Sequence, residues 1–268
     1  MTTVDRAFAE PRLAALYDLF SPEAGRGDFT LYLPLVMSAR SVLDIGCGTG
    51  QLLHRARENG HPGRLCGLDP AAGMLEVARK TATATATTPT STTTPSPEIE
   101  WIQGDLSTAP AWRDTFDLAV MTGHAFQALL TDAEIHTALT AVAAALTPDG
   151  TFAFETRNPS AREWEDWHLR YSGRVTDPTT GATVENRCEV IAAEGDRVTF
   201  THTYTSPTWD TPQQSRSTLR FLTPEALTTA LTAAGLTITA QYGDWDHSPL
   251  TTTGPTPSPE IITLARRV

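Results

Sequence analysis

The chain is almost without lysine. Lys80 is the only one, arginine supplies the remaining positive charge, and 20 basic side chains stand against 31 acidic ones. The formal charge of -11 repels a phosphate backbone, and no run of Lys or Arg makes a local exception, so nucleic acid is not expected as a partner. Cysteine is scarce as well: Cys47, Cys66 and Cys188 are odd in number and lack metal-ligand spacing. Neither a disulfide framework nor a metal site is predicted, and a reducing cytoplasm is expected. No eighteen apolar residues run together, so no membrane-spanning helix is predicted. The stretch "MTTVDRAFAEPRLAALYDLF" is acidic and amphipathic where a secretory signal would be basic and then apolar. The expectation is a soluble cytoplasmic protein, monomer or homodimer.

What is present is enough apolar side chain for a full core: 40 % of 268 residues. Leu13, Leu16, Tyr17 and Phe20 recur at helical spacing and predict one short amphipathic helix ending near Ser21. From Ser41 through residue 156 apolar runs alternate with helical patterns. Strands are predicted at Ser41 to Ile45, in "RLCGLD" ending at Asp69, in "EIEWIQGDL" ending near Asp105, in "TFDLAVM" and in "TFAFET". Helices are predicted in "QLLHRARENG", in "PAAGMLEVARK" with Pro70 at its start, and after a capping box of Thr131 and Glu134. "TPDG" is read as a turn, and "TATATATTPTSTTTPSP" from Thr81 to Pro97 as a flexible surface loop, since it has no large apolar side chain to bury. This alternation argues a doubly wound parallel α/β sheet. From about Trp167 to Leu222 the pattern changes to short strands and tight turns, an antiparallel insertion or lid. "TPEALTTALTAAG" then resumes a helix, and "LTITAQYGDW" and "EIITLARRV" supply two last strands. The expected division is 1–156 core, 157–222 insertion and 223–268 the return to the core sheet.

The glycines of "VLDIGCGTG" are Gly46, Gly48 and Gly50. A dinucleotide fingerprint needs its third glycine where Gln51 stands, and Asp44 at the strand end repels a phosphate but attracts an ammonium or sulfonium. The loop suits a cation.

"VLDIGCGTG" resembles the first motif of the class I S-adenosylmethionine-dependent methyltransferases. "LCGLDPAAGML", "WIQGDL" and "FDLAVMTGHAF" are similar to their next three, in order over residues 42 to 127. The resemblance implies a Rossmann-like seven-stranded sheet with its last strand antiparallel, and S-adenosyl-L-methionine as cofactor. It implies that Asp44 and the backbone of Gly46, Cys47 and Gly48 face the methionine part. Asp69, with Pro70 beside it, would hold the ribose, Asp105 and Leu106 would read the adenine, and Met74 would pack nearby. Tyr17 would close over the cofactor's carboxylate, and Thr122 and His124 would lie near the sulfonium.

His124 has the titration range and the strand-end position of a general base. Glu155 is a second catalytic candidate, which either orients a substrate amine or pairs with Arg157. Trp164, Trp167 and His168, with His202 and Tyr204, are candidates to wall a substrate pocket in the insertion. "TGHAFQ" lacks the carboxylates a metal-dependent O-methyltransferase places after this strand, so no metal is predicted. The expected activity is methyl transfer to N, O or C of a small molecule, a metabolite or natural-product intermediate. The alternative is a cofactor-binding protein that does not methylate, as a cyclisation catalyst or noncatalytic subunit.

Overall fold

The segment before the first strand folds as three single turns, α1 (Arg6–Ala9), α2 (Pro11–Ala14) and α3 (Tyr17–Phe20), followed by α4 (Phe29–Ser38). The molecule is seen in a computed structural model that describes residues 4–85 and 97–268. The single helix predicted over Leu13 to Phe20 is broken at Leu16, whose N–H bonds back to Leu13 O at 3.0 Å in a tightened turn. Leu13 and Leu16 are buried as the spacing implied, while Tyr17 and Phe20 of the same stripe are half-buried. Helix α4 has no counterpart among the predicted elements. Its sequence FTLYLPLVMS is apolar nearly all round, so it carries no amphipathic period, and Pro34 lies inside it.

The predicted strands and helices follow in order. They are β1 (Ser41–Ile45), α5 (Gln51–Glu58), β2 (Arg64–Asp69), α6 (Ala72–Thr85), β3 (Glu100–Gln103), β4 (Phe116–Met121), α7 (Asp132–Ala145) and β5 (Leu146–Arg157). Both halves of the capping box form at Thr131 and Glu134. Two expectations are corrected. The helix after Pro70 runs on through Thr85, because Ala is the best helix former and offsets the threonines; the rest of the predicted surface loop, residues 86–96, lies outside the described residues. "TPDG" does not reverse the chain but makes an excursion within β5. There the register on β4 jumps from Phe116↔Leu146 to Leu118↔Thr151.

After α8 (Trp167–Arg170), four strands build a separate antiparallel sheet: β6 (Gly173–Thr176), β7 (Thr183–Glu194), β8 (Arg197–Thr205) and β9 (Gln213–Arg220). Helix α9 (Pro224–Ala233) and strands β10 (Leu236–Tyr242) and β11 (Glu260–Arg267) complete the chain. The main sheet has seven strands in the order β10-β11-β5-β4-β1-β2-β3. β11 alone runs opposite to the other six strands, antiparallel to both β10 and β5. The strand order reverses at β1, which pairs with β2 on one side and β4 on the other; the carboxyl ends there form the crevice in which such sheets bind ligands.

Side chains alternate between the two faces of a strand. Leu43, Ile45, Ala119, Met121, Phe152, Phe154 and Ile261 join one core, against α7 and α9. Val42, Leu118, Val120, Ala153 and Ile262 join the other, against Phe29, Tyr32 and Val36 of α4 and Leu52, Leu53 and Ala56 of α5. Period two therefore carries Asp44, Thr122, Glu155 and Glu260 to the α4 face of the sheet, all at its carboxyl edge. The small sheet is tied to this edge from both sides. Gln127, after β4, donates to Arg220 O at 3.0 Å, and Ala7 N donates to Ser215 Oγ at 2.9 Å.

Candidate active site

All three glycines of the first loop have left-handed backbones, Gly46 at φ 71°, Gly48 at 56° and Gly50 at 76°. A side chain on Gly46 would strike Ala125 Cβ at 2.8 Å, so the loop is pressed against the segment after β4. Over Gly48 nothing lies within 4 Å. The loop hangs on the end of β2: Gly46 N donates to Leu68 O at 2.7 Å and Gly48 N to Asp69 Oδ2 at 2.8 Å. Asp69 Oδ1 accepts from Ala71 N at 2.8 Å, so this carboxylate both closes the loop and caps the turn into α6.

Asp44 is 1 % exposed, and its Oδ1 has no hydrogen-bond partner. A buried carboxylate oxygen without a donor is costly and rare in a folded protein. Burial pushes the Asp44 carboxyl up to about 7; Arg26 opposes the shift, and Asp69, Glu155 and Asp28 add to it. An orphaned, acid-surrounded oxygen beside open space over a glycine fits the ammonium of a bound amino acid moiety. The methionine part of S-adenosylmethionine carries that group, so the residues present fit this cofactor.

His124 also has a left-handed backbone, φ 63°, a conformation that costs a non-glycine residue about 1–2 kcal/mol. Its N–H is held by Glu155 Oε1 at 2.7 Å. The other oxygen of Glu155 accepts from the Tyr32 hydroxyl. Glu155 therefore does not pair with Arg157, whose guanidinium donates instead to Gln127 Oε1 at 3.1 Å and to Tyr171 Oη at 3.1 Å. The imidazole Nε2 of His124 lies 3.0 Å from both carboxylate oxygens of Glu260. Burial pushes His124 down to about 3, assisted by the Arg157 charge, and pushes Glu260 up to about 8. Desolvation outweighs the attraction of an ion pair here, so the pair is neutral, with its proton on the carboxyl.

The structure brings Asp44, Gly46, Cys47, Gly48, Asp69, Thr122 and His124 to one edge. Tyr17 joins them, because Asp18 beside it accepts from Thr49 Oγ1 and Gln51 Nε2, each at 2.6 Å. Burial raises the Tyr17 phenol, so it stays a donor. Pro70 is half-buried just before α6. Met74 packs with Ala14 and Ala71, beside Val4, Phe8 and Tyr17, beneath the first turns. Asp105 turns Oδ1 back on its own loop, accepting from Ser107 N at 2.9 Å and Thr108 N at 3.2 Å, with Leu106 packed against the main core.

The insertion candidates separate. Tyr204 meets Phe20 of α3 edge-on at 5.8 Å, which places it against the N-terminal turns, and it stacks on His202 at 5.9 Å. His202 Nδ1–H donates to Asn186 Oδ1 at 3.0 Å, and burial pushes its imidazole down to about 4. Trp167 is core: it is 1 % exposed and clusters with Cys188, Val198 and Phe221. Trp164 packs edge-on against Phe221 at 4.8 Å. His168 is exposed, and with Trp164 it borders a groove beside Glu189 and Ile191. Trp164 and His168 thus border the outer side of the small sheet, whereas Trp167 also carries the Arg157 guanidinium over its ring, 5.0 Å from the centroid, and so touches the end of β5.

The sequence reading missed Asp18, Arg26, Asp28, Tyr32 and Glu260. Arg26 grips Asp28 through Nε and Nη2, at 2.9 and 2.5 Å, and its Nη2 lies 4.0 Å from where a Gly123 Cβ would be. "GRGD" reads locally as a turn, and nothing in it signals a buried cation.

Residues 42–150 match the model of the methyltransferase-domain family. The chain is 29 % identical over 181 residues to the 2-phytyl-1,4-naphtoquinone methyltransferase of Thermosynechococcus vestitus, covering 63 % of this chain and 73 % of that protein. Among solved structures it resembles the CcbJ methyltransferase of Streptomyces caelestis, with TM-score 0.70 and 18 % identity over 99 % of this chain and 100 % of that one. It also resembles the sugar N-methyltransferase KedS8 of a Streptoalloteichus species, with TM-score 0.66 and 23 % identity over 94 % and 93 %. These two likenesses are of fold.

Proposed function

We propose that the chain is a class I S-adenosylmethionine-dependent methyltransferase that methylates a small molecule, and that its acceptor is an amine nitrogen. The observation that carries the choice of amine is the surplus of carboxylate at the crevice. Asp28, Glu155, Glu163 and Asp244 crowd the edge where His124 and the neutral Glu260 stand, and Arg26 and Arg157 are the cations set among them. A protonated amine entering such a site gains the attraction a neutral alcohol lacks. KedS8, which shares the fold, is by its name an enzyme acting on nitrogen.

In this reading Asp44 binds the cofactor's ammonium and Tyr17 and Arg26 its carboxylate. Asp69 accepts from the ribose hydroxyls with the lone pairs its two backbone partners leave, and Asp105 and Leu106 border the base. When bound, S-adenosylmethionine supplies a methyl already activated by the sulfonium, so the protein's work is to orient the nucleophile and exclude water. His124, fixed at backbone level by Glu155, lies where the acceptor's proton must leave. The small sheet with His202 and Tyr204, spanning the 157–222 insertion, acts as the lid over the acceptor.

The test is transfer of labelled methyl from S-adenosylmethionine to a panel of primary amines and of matched alcohols and phenols, with S-adenosylhomocysteine measured as product. Methylated amines in excess over the oxygen acceptors are expected. Turnover confined to oxygen acceptors would overturn the nitrogen assignment, and binding without any product would favour the non-methylating alternative.

A further inference from the structure

His124 by itself is a poor base for this task. Burial leaves its imidazole at about 3, several units below any alkylammonium, and a base that weak would hold a negligible share of the transferred proton. Its surroundings supply what it lacks. Glu260 stands at the first residue of β11, and because that strand is antiparallel its start falls on the same edge as the carboxyl ends of β1, β4 and β5. Both its oxygens reach Nε2, while Nδ1 of the same ring has no hydrogen-bond partner among the described residues, and the side chain keeps 16 % of its surface open.

We propose that His124 and Glu260 form a single proton acceptor for the amine, His124 taking the proton at Nδ1 while Glu260 receives the proton that Nε2 releases. This rests on the reading of the crevice as an amine methylation site. The active form is Glu260 ionised, accepting from Nε2–H, with the Nδ1 lone pair bare. An N–H bond of the ammonium breaks and an N–H bond forms at Nδ1; the Nε2–H bond breaks and an O–H bond forms on Glu260. The products are a neutral amine, a neutral imidazole of the opposite tautomer and a protonated carboxyl, so charge and protons balance. Glu260 acts through the ring and is a positioning residue as well as the proton's store.

The base strength of the couple is then that of the carboxyl, which burial has raised to about 8, near the range of an amine. The groups facing the couple agree with this division. Arg157, opposite Glu260 in the register of β5 and β11, favours charge on the carboxylate and opposes charge on the imidazole. Glu155 and Asp28 face the ring; Glu163, Asp244 and Asp28 face the carboxyl and raise it. Tyr32 holds Glu155 from α4.

The test needs no acceptor. Nitrogen-15 spectra of the histidines are recorded on the protein saturated with S-adenosylhomocysteine, for the unaltered chain, Glu260→Gln and Glu260→Asp, with His124→Asn to assign the ring. In the unaltered chain the ring should exchange Nδ1–H for Nε2–H in one step near pH 8, set by Glu260. Glu260→Gln should abolish that step over about pH 6 to 9, and Glu260→Asp should restore a step. An exchange of tautomers unchanged in Glu260→Gln, or absent from the unaltered chain, overturns the proposal. Affinity for S-adenosylhomocysteine, expected within about twofold in all three proteins, is the separate readout: its loss from the unaltered chain would strike the methyltransferase reading instead.

Discussion

The hydroxyl of Tyr32 donates to Oε2 of Glu155, and both side chains are fully sealed from solvent. One bond thus links the middle of α4 to the end of β5, and through Oε1 of Glu155 to the strained backbone of His124. In Tyr32→Phe the ring still fills its place while a buried carboxylate oxygen loses its donor. The loss should be about 1–3 kcal/mol, read as a lower urea midpoint with unchanged slope. A variant as stable as the parent would show that the bond contributes nothing net.

Asp44 makes cofactor binding depend on pH. Without ligand its carboxyl stands near 7, raised first by burial, and a bound ammonium favours the ionised form and so lowers it. Affinity for S-adenosylhomocysteine should therefore be full above about pH 7 and fall up to tenfold per unit below, with proton release visible as a buffer-dependent heat. Asp44→Asn should bind more weakly and lose the slope. Calorimetry at several pH values decides it.

Asp18 is the hinge pin of the N-terminal turns, through its bonds to Thr49 and Gln51. Removing it in Asp18→Ala should speed amide exchange over residues 6–20 and weaken S-adenosylhomocysteine by roughly 0.5–1.5 kcal/mol, the net worth of a part-exposed hydrogen bond. Exchange and affinity both unchanged would mean that the turns are held by packing alone.

Gly48→Ala separates folding from binding. The left-handed backbone costs alanine about 1–2 kcal/mol, and no neighbour lies within 4 Å to clash. The new methyl instead occupies the space over the loop, so affinity should fall by more than stability does. Thermal unfolding and calorimetry on the same variant compare the two; a larger loss of stability than of affinity would place the ligand elsewhere.

How far the sequence carries can be followed residue by residue. The segment from Ser41 to Glu58 was legible because strand period, glycine conformation and helix period are all local, and Asp44 and Asp69 are fixed at strand ends by them. Thr131 and Glu134 were legible for the same reason. Helix α4 was not, since an all-round apolar segment has no period to read. Trp167 and His168 are adjacent in the five residues that begin at Trp164, yet one is core and the other exposed; only the stacking of α8 on the small sheet separates them.

By itself, then, the sequence determined the succession of core strands and helices from β1 onward, the glycine loop and the acid at its mouth, because each depends on neighbours within about a turn. Which charges meet there was decided by the tertiary structure. Glu260 comes 136 positions after His124, and it reaches the ring only because β11 inserts antiparallel beside β5 and so begins at the edge where its neighbours end. Arg26, Asp28 and Tyr32 arrive from a segment with no signal of its own, set over the sheet by burial of α4. Short-range periodicity records none of these meetings, since they are fixed by strand order and by the packing of two faces.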